Sequence, residues 1–212
     1  MSRASEQVSA RLCIFARAPE LGRVKTRLAD GIGAAPALAA HEELVEGCLS
    51  RLASLAALRS TLWIAGPLPL AQPWATRWHL ATAAQTGVDL GMRMANAIAI
   101  SLRDADQALV VGTDCPLLDA DYVDAAIVAL DAHDVVVGPA EDGGYVLIGM
   151  RRLHPELFAD IAWGSSHVCP QTLARAGQLG LRVAQLPVLW DVDTLEDWQR
   201  YQALRSGFSD RA

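Results

Sequence analysis

One stretch constrains the fold more than any other: Ala108-Leu109-Val110-Val111-Gly112-Thr113-Asp114-Cys115-Pro116-Leu117-Leu118. A short apolar run without polar alternation predicts a strand buried on both faces, as in parallel sheets covered by helices. Gly112 and Pro116 break the run and leave the Asp114 carboxylate beyond its C-terminal end. In open α/β sheets, ligands collect in the crevice outside the strand C-termini. A carboxylate there can hold a metal ion that itself holds phosphates. Asp114 would serve equally well as a turn former or as the N-cap of a following helix, and the strand alone does not choose.

The rest of the chain alternates strand-like and helix-like segments. Strands are expected at 11–16, 61–65, 78–83, 108–111, 134–138, 145–149 and 181–186. Helices are expected at 36–58, 91–104, 119–132, 165–177 and 194–204, and the glycine- and proline-bearing 17–35 and 66–73 read as loops. This alternation predicts a single α/β domain over 10–206, in three α/β/α layers around a mostly parallel sheet. The link at 139–144 is too short for a helical crossover, so a hairpin is expected there and the sheet should be mixed. Residues 1–9 and 207–212 are expected to be tails.

Composition excludes several classes of partner. The net charge is -6 and no basic stretch is present, which argues against a nucleic-acid surface. An anionic ligand must therefore be held by a few placed cations or by a metal rather than by the global field. The four cysteines form no Cys-x-x-Cys pair, and Cys13 and Cys48 fall in apolar segments, which fits a reduced, cytoplasmic protein. The polar 1–11 segment lacks a signal-peptide core, and no apolar run is long enough to span a bilayer.

Four further stretches can carry chemistry. Arg17-Ala18-Pro19-Glu20-Leu21-Gly22-Arg23-Val24-Lys25-Thr26-Arg27 puts four cations and Gly22 after the first strand, where backbone N–H groups and forked donors can meet phosphate. Its spacing is neither a Walker A loop nor Gly-x-Gly-x-x-Gly, and a solvated basic loop would look the same. Asp89-Leu90-Gly91-Met92-Arg93 opens a helix, so Asp89 can cap it or accept from a ribose or base. Glu141-Asp142-Gly143-Gly144 joins two strands. Asp142 can be a turn residue, a ligand for an acceptor hydroxyl or a general base. In Trp190-Asp191-Val192-Asp193-Thr194, capping of the last helix explains Thr194 or Asp193 but leaves Asp191 without a role. His41 reads as a helix-surface or helix-end residue, His167 as a surface or cap residue, and Cys115 as a packed small residue with no base beside it.

Taken in order, these blocks resemble a bacterial transferase family. They are Ile14-Phe15-Ala16-Arg17-Ala18-Pro19 with Gly22, Lys25-Thr26-Arg27-Leu28, Asp89-Leu90-Gly91 with Arg93-Met94, Gly112-Thr113-Asp114-Cys115-Pro116, Asp142-Gly143-Gly144-Tyr145 and Asp191-Val192-Asp193-Thr194. The family is the rSAM/selenodomain-associated transferase 1, or arsenosugar-biosynthesis-type glycosyltransferase, family. The likeness spans about residue 11 to 201 and implies the nucleotide-diphospho-sugar transferase (GT-A) fold. Lys25-Thr26-Arg27-Leu28 is also similar to the Lys-Ser-Arg-Leu of 2-phospholactate guanylyltransferases, and Asp191-Val192-Asp193-Thr194 to the ending of molybdenum-cofactor nucleotidyltransferases. The Asp-x-Asp of many GT-A enzymes is reduced here to Asp114-Cys115-Pro116, and the nucleotidyltransferase Gly-x-Ser-x-Arg loop is missing.

The resemblance implies a metal-dependent glycosyltransferase moving a sugar from a nucleotide-sugar donor to a small-molecule acceptor. Mg²⁺ or Mn²⁺ would sit on Asp114 with Asp193 or Asp191. Arg17, Lys25 and Arg27 would bind the diphosphate, with Gly22, Asp89, Gly91, Arg93 and Thr113 lining the nucleotide, and Asp142 would act on the acceptor. The alternatives are a nucleotidyltransferase acting on an NTP and a phosphorylated acceptor, and a nucleotide-binding protein without turnover.

Overall fold

The structure, a computed structural model, describes residues 9–55 and 58–209. Of the expected tails, 1–8 and 210–212 lie outside the described residues; the Ser9 backbone N–H donates to Asp106 at 2.9 Å. Seven strands form one sheet: β1 (Ala10–Arg17), β2 (Arg59–Ala65), β3 (Ala81–Ala84), β4 (Gln107–Gly112), β5 (Val135–Pro139), β6 (Tyr145–Met150) and β7 (Val183–Gln185), in the order β3-β2-β1-β4-β6-β5-β7. β6 runs antiparallel to β4 and β5, and the other pairs are parallel, so the expected hairpin and mixed sheet are present. The helices are α1 (Thr26–Ile32), α2 (Ala34–Leu52), α3 (Gln72–Trp78), α4 (Leu90–Ser101), α5 (Ala120–Ala129), α6 (Val168–Gln178) and α7 (Leu195–Ser209).

The β4 run explains the layers. Leu109 and Val111 pack with α2, α3 and α5 on one face, while Ala108 and Val110 pack with α4 and α6 on the other. Both faces are therefore dry, as the unalternated sequence requires. Each fully buried Leu or Val contributes on the order of 1.5–3 kcal/mol. A polar substitution at Leu109 or Val111 would thus remove a large part of a domain's net stability.

Three segments depart from expectation, the first being the helix expected over 36–58, which ends at Leu52. The 17–35 stretch contains α1, because its glycines serve packing and termination: a Cβ on Gly31 would lie 3.1 Å from Leu195 Cδ2, and Gly33 ends the helix at φ 87°. The 66–73 stretch leads into α3, and Trp78 belongs to that helix rather than to β3. Its Pro73 occupies the first helical turn, where the missing N–H costs nothing.

The chain reverses its direction of travel across the sheet at β1. From there it moves outward through β2 and β3, then returns to place β4 on the opposite side of β1. That switch point opens a crevice above the C-terminal ends of β1 and β4.

Candidate functional site

Segments from three parts of the chain close over this crevice. The first is the loop after β1. It ends at Lys25, whose left-handed backbone (φ 47°, ψ 45°) turns the chain into α1. The strain of that conformation is characteristic of an over-determined position. The Lys25 side chain is only 4% exposed. Its Nζ lies 2.7 Å from Asp114 Oδ1 and donates to the Val192 carbonyl. The second is the exit of β4, where Thr113 donates to the Phe15 carbonyl at 3.4 Å and ties β4 to β1. The third is 189–193, which crosses the top of the sheet. Leu189 bridges Ala140, and the Val192 N–H donates to the Asp114 carbonyl at 3.0 Å.

The third segment is extended, so its side chains alternate. Trp190 and Val192 are buried with Leu44 and Tyr201, while Asp191 and Asp193 line the cleft. Thr194 and Asp197 cap α7 reciprocally: Asp197 accepts from the Thr194 N–H and hydroxyl at 2.8 and 2.7 Å, and its own N–H reaches Thr194 Oγ1 at 3.3 Å. Asp191 and Asp193 are thereby left free of capping. Asp193 pairs with Arg27 at 2.9 Å.

Charge at this corner is unevenly compensated. Burial pushes the Asp114 carboxyl up, and the Lys25 ammonium more than reverses this, holding it below the ordinary carboxylate range. Oδ1 is inaccessible, yet the side chain as a whole keeps 47% exposure, so the rest of the carboxylate stays open. Asp191 behaves oppositely. Burial first, then the neighbouring Asp142 and Asp114 charges, push it up to about 6. Carboxylates that repel one another in this way are the oxygen-donor set that a hard divalent cation relieves. Among the described residues, no group of three or more His, Cys, Asp or Glu side chains is close enough to hold an ion unaided.

The cleft itself has a volume of about 380 Å³. Arg17 and Arg27 line it together with Asp142, Asp191 and Asp193. Tyr145, Trp163, Gly164, Ser165 and Val168 form another part of its wall. Asp142 sits in the β5–β6 turn, with Oδ1 accepting from the Gly144 N–H at 2.8 Å. Gly143 holds φ +87°, and a Cβ there would be 2.1 Å from the Ser166 carbonyl oxygen. Gly143→Ala is therefore expected to destabilise the protein by about 2–3 kcal/mol in urea unfolding, by strain and by displacing the Trp163 loop.

The other expected nucleotide residues are placed as follows. Asp89 caps α4, accepting from the Met92 N–H at 2.7 Å, and Arg93 Nε donates to the Gly87 carbonyl at 3.3 Å. Gly91 packs under Trp163, with a built Cβ 2.5 Å from Cζ2. Gly22 turns at φ +73° with open space around it. Neither His41 nor Trp163 was singled out as a site residue by its sequence context. His41 is 3% exposed rather than on a helix surface. Trp163 forms the cleft wall, and an aromatic inside a Gly-Ser turn was its one local signal.

Comparison with solved structures shows the nucleotide-diphospho-sugar transferase fold of GT-A type. A Desulfovibrio desulfuricans G20 protein, described as a candidate nucleotide-diphospho-sugar transferase, is 33% identical, with 89% of this chain and 84% of that chain covered at TM-score 0.81. The 4-diphosphocytidyl-2C-methyl-D-erythritol synthase of Anaerococcus prevotii is 10% identical, covering 94% and 96% at TM-score 0.65. The glucosyl-3-phosphoglycerate synthase of Mycobacterium tuberculosis, solved with Mn²⁺, UDP and glucosyl-3-phosphoglycerate, is 11% identical, covering 87% and 71% at TM-score 0.57. The last two share the fold alone. No curated protein matches the chain. No helix among the described residues is long and apolar enough to cross a membrane. Residues 48–165 match the family described as uncharacterized protein conserved in bacteria, DUF2064. With more than half its length so matched, the chain belongs to that family.

Proposed function

We propose that the chain is a metal-dependent glycosyltransferase, of the rSAM/selenodomain-associated transferase 1 type, that moves a sugar from a nucleoside-diphosphate donor to a neutral, hydroxyl-bearing small molecule. The observation that carries this reading is the polarity of the cleft. Arg17 and Arg27 are the cations among its described lining residues, and they share the lining with the carboxylates of Asp142, Asp191 and Asp193, the last paired with Arg27 at 2.9 Å. The two cations suit a diphosphate, and the three carboxylates beside them would repel a second anionic substrate.

Asp114 and Asp191 would hold Mg²⁺ or Mn²⁺, with donor phosphate oxygens completing the shell, as is usual for Mg²⁺. Bound there, the ion would supply neutralisation of the charge on the departing diphosphate. Arg17 and Arg27 bind the same diphosphate through forked donors. Lys25 holds Asp114 in place, and Asp193 steadies Arg27 at 2.9 Å. Asp142 keeps one oxygen on the Gly144 N–H, leaving the other to take the acceptor's proton. As that proton leaves, the acceptor oxygen bonds to the anomeric carbon, the bond from that carbon to the β-phosphate oxygen breaks, and the nucleoside diphosphate departs. Asp89, Arg93, Gly91, Gly22 and Thr113 shape the loops around the nucleotide rather than define its chemistry.

Nucleotidyl transfer is the second reading, favoured by the fold it shares with a cytidylyl-group enzyme. The two readings separate by ligand. With Mg²⁺, nucleoside diphosphates should raise the melting temperature more than triphosphates, and the reverse would favour nucleotidyl transfer. Asp114→Ala should abolish the metal-dependent shift; an unchanged shift would make Asp114 a structural turn. Asp142→Asn should keep donor binding and lower turnover by about 10²-fold or more. Turnover at the wild-type rate would remove Asp142 as the base.

A further inference from the structure

Helix α2 presents three polar side chains to the floor of this site: His41, Cys48 and Arg51. Spacings of seven and three keep them on one face. His41 is 3% exposed, and its Nε2 lies 3.0 Å from the Arg17 carbonyl oxygen at the end of β1. A carbonyl only accepts, so Nε2 carries the proton. The ring meets Trp74 edge-on at 5.9 Å, and burial pushes the imidazole below its ordinary value, which keeps it a neutral donor. Cys48 Sγ points at the Gly112 carbonyl, 3.9 Å away at the end of β4. Arg51 donates from Nε to the Leu118 carbonyl and from Nη2 to the Cys115 carbonyl, both at 2.9 Å, closing the turn that follows Asp114.

One sequence oddity fits this arrangement. Gly47 lies inside α2, where glycine costs about 1 kcal/mol relative to alanine. A Cβ there would sit 3.1 Å from Arg51 Nη1, so the glycine leaves room for the guanidinium to lie along the helix. His41 and Cys48 thus reach carbonyls where the β1 and β4 ladders end, and Arg51 reaches those of the turn beyond β4. Such groups otherwise depend on water.

We propose that His41 and Arg51 are positioning residues: α2 is the rigid bar that sets the phosphate-binding end of β1 against the Asp114 loop of β4. Neither side chain is among the residues lining the cleft. The inference rests on the glycosyltransferase reading for its purpose but not for its geometry. A cation on β1's end and a carboxylate on β4's end act on one metal-bound diphosphate only if their separation is held. Displacements near 1 Å at such sites cost about 10²-fold.

The test uses the full chain with His41→Leu, His41→Gln, Arg51→Met and Arg51→Lys. It measures calorimetric binding of UDP and of GDP with Mg²⁺, and amide hydrogen exchange by mass spectrometry. His41→Leu and Arg51→Met should each weaken nucleotide binding by about tenfold. They should also speed exchange in 17–25 and 113–118 while leaving β5–β7 unchanged. His41→Gln, whose Nε2 can donate to the same carbonyl, should bind as the wild type does, and Arg51→Lys, with one donor kept, should fall between. The proposal is overturned if the Leu and Met variants bind and exchange like the wild type, or if His41→Gln loses as much as His41→Leu. Failure of the wild type to bind either nucleotide would sink the glycosyltransferase reading instead. Exchange in the two segments would then still decide the matter: faster supports the bar, and unchanged removes it.

Discussion

Lys25→Met is expected to destabilise the protein by about 1–3 kcal/mol at neutral pH, the cost of leaving one buried carboxylate oxygen without its partner. Methionine keeps the length and the apolar stem, so the loss isolates the ammonium. The side chain is 4% exposed, and its charge is the polar partner that the inaccessible Asp114 Oδ1 has. Removing it leaves a buried carboxylate oxygen uncompensated and deprives the Val192 carbonyl of its donor. The pH dependence identifies the cause. In the wild type the Asp114 carboxyl is depressed, so its contribution is present above the ordinary carboxylate value and lost as pH falls through the lowered one. In the variant, burial is opposed only by the lesser effects of His41 and Arg17, and the carboxyl rises. The deficit should therefore shrink as the solution is acidified and Asp114 takes a proton. Urea unfolding across pH 4–8 reads this, and Lys25→Met with Asp114→Asn should recover part of the loss. A deficit that is flat with pH would place the damage elsewhere.

Asp191→Asn is expected to do the reverse: stabilise the ligand-free protein while removing metal-dependent nucleotide binding. The Asp191 carboxyl is pushed from 3.8 up to about 6 by burial and by the Asp142 and Asp114 charges. A raised acid binds its proton more tightly in the folded state. Its cost is therefore absent below the unfolded value, grows as pH rises from about 4 to about 6, and is fully present above that. The size is on the order of 2 kcal/mol. The stability difference between Asp191→Asn and the wild type should thus open over that window and stay open at neutral pH. Gains of this kind at the expense of function are common where a site stores repulsion. A variant no more stable at pH 7 than at pH 4 would mean that Asp191 is not held among like charges.

What could be read from the chain follows from how local each signal is. β4 was legible because burial on both faces leaves an unbroken apolar run. Asp191 stood out because capping of the last helix left it without a role, and the structure supplies the reason: buried Trp190 and Val192 fill the other phase of an extended segment. α1 and α3 were hidden, since Gly31 looks like a loop residue until Leu195 packs on it and Pro73 looks like a breaker until it lands in a first turn. Lys25 was legible as a cation but not as the partner of Asp114, because the ion pair joins segments distant in sequence. Trp163 depends on a contact with Gly91 from another helix, and His41 on meeting the end of β1. Local pattern encodes the elements, while the site is made by contacts between them.

Titration calorimetry of the wild type with a nucleoside diphosphate at pH 6, with and without Mg²⁺, tests the central claim most directly when repeated in buffers of different ionisation enthalpy. A cation seated on Asp114 and Asp191 must displace the proton that Asp191 holds at that pH. The account predicts metal-dependent binding with release of about half a proton, absent in Asp191→Asn. Metal-independent binding, or metal-dependent binding with no proton released, would contradict it.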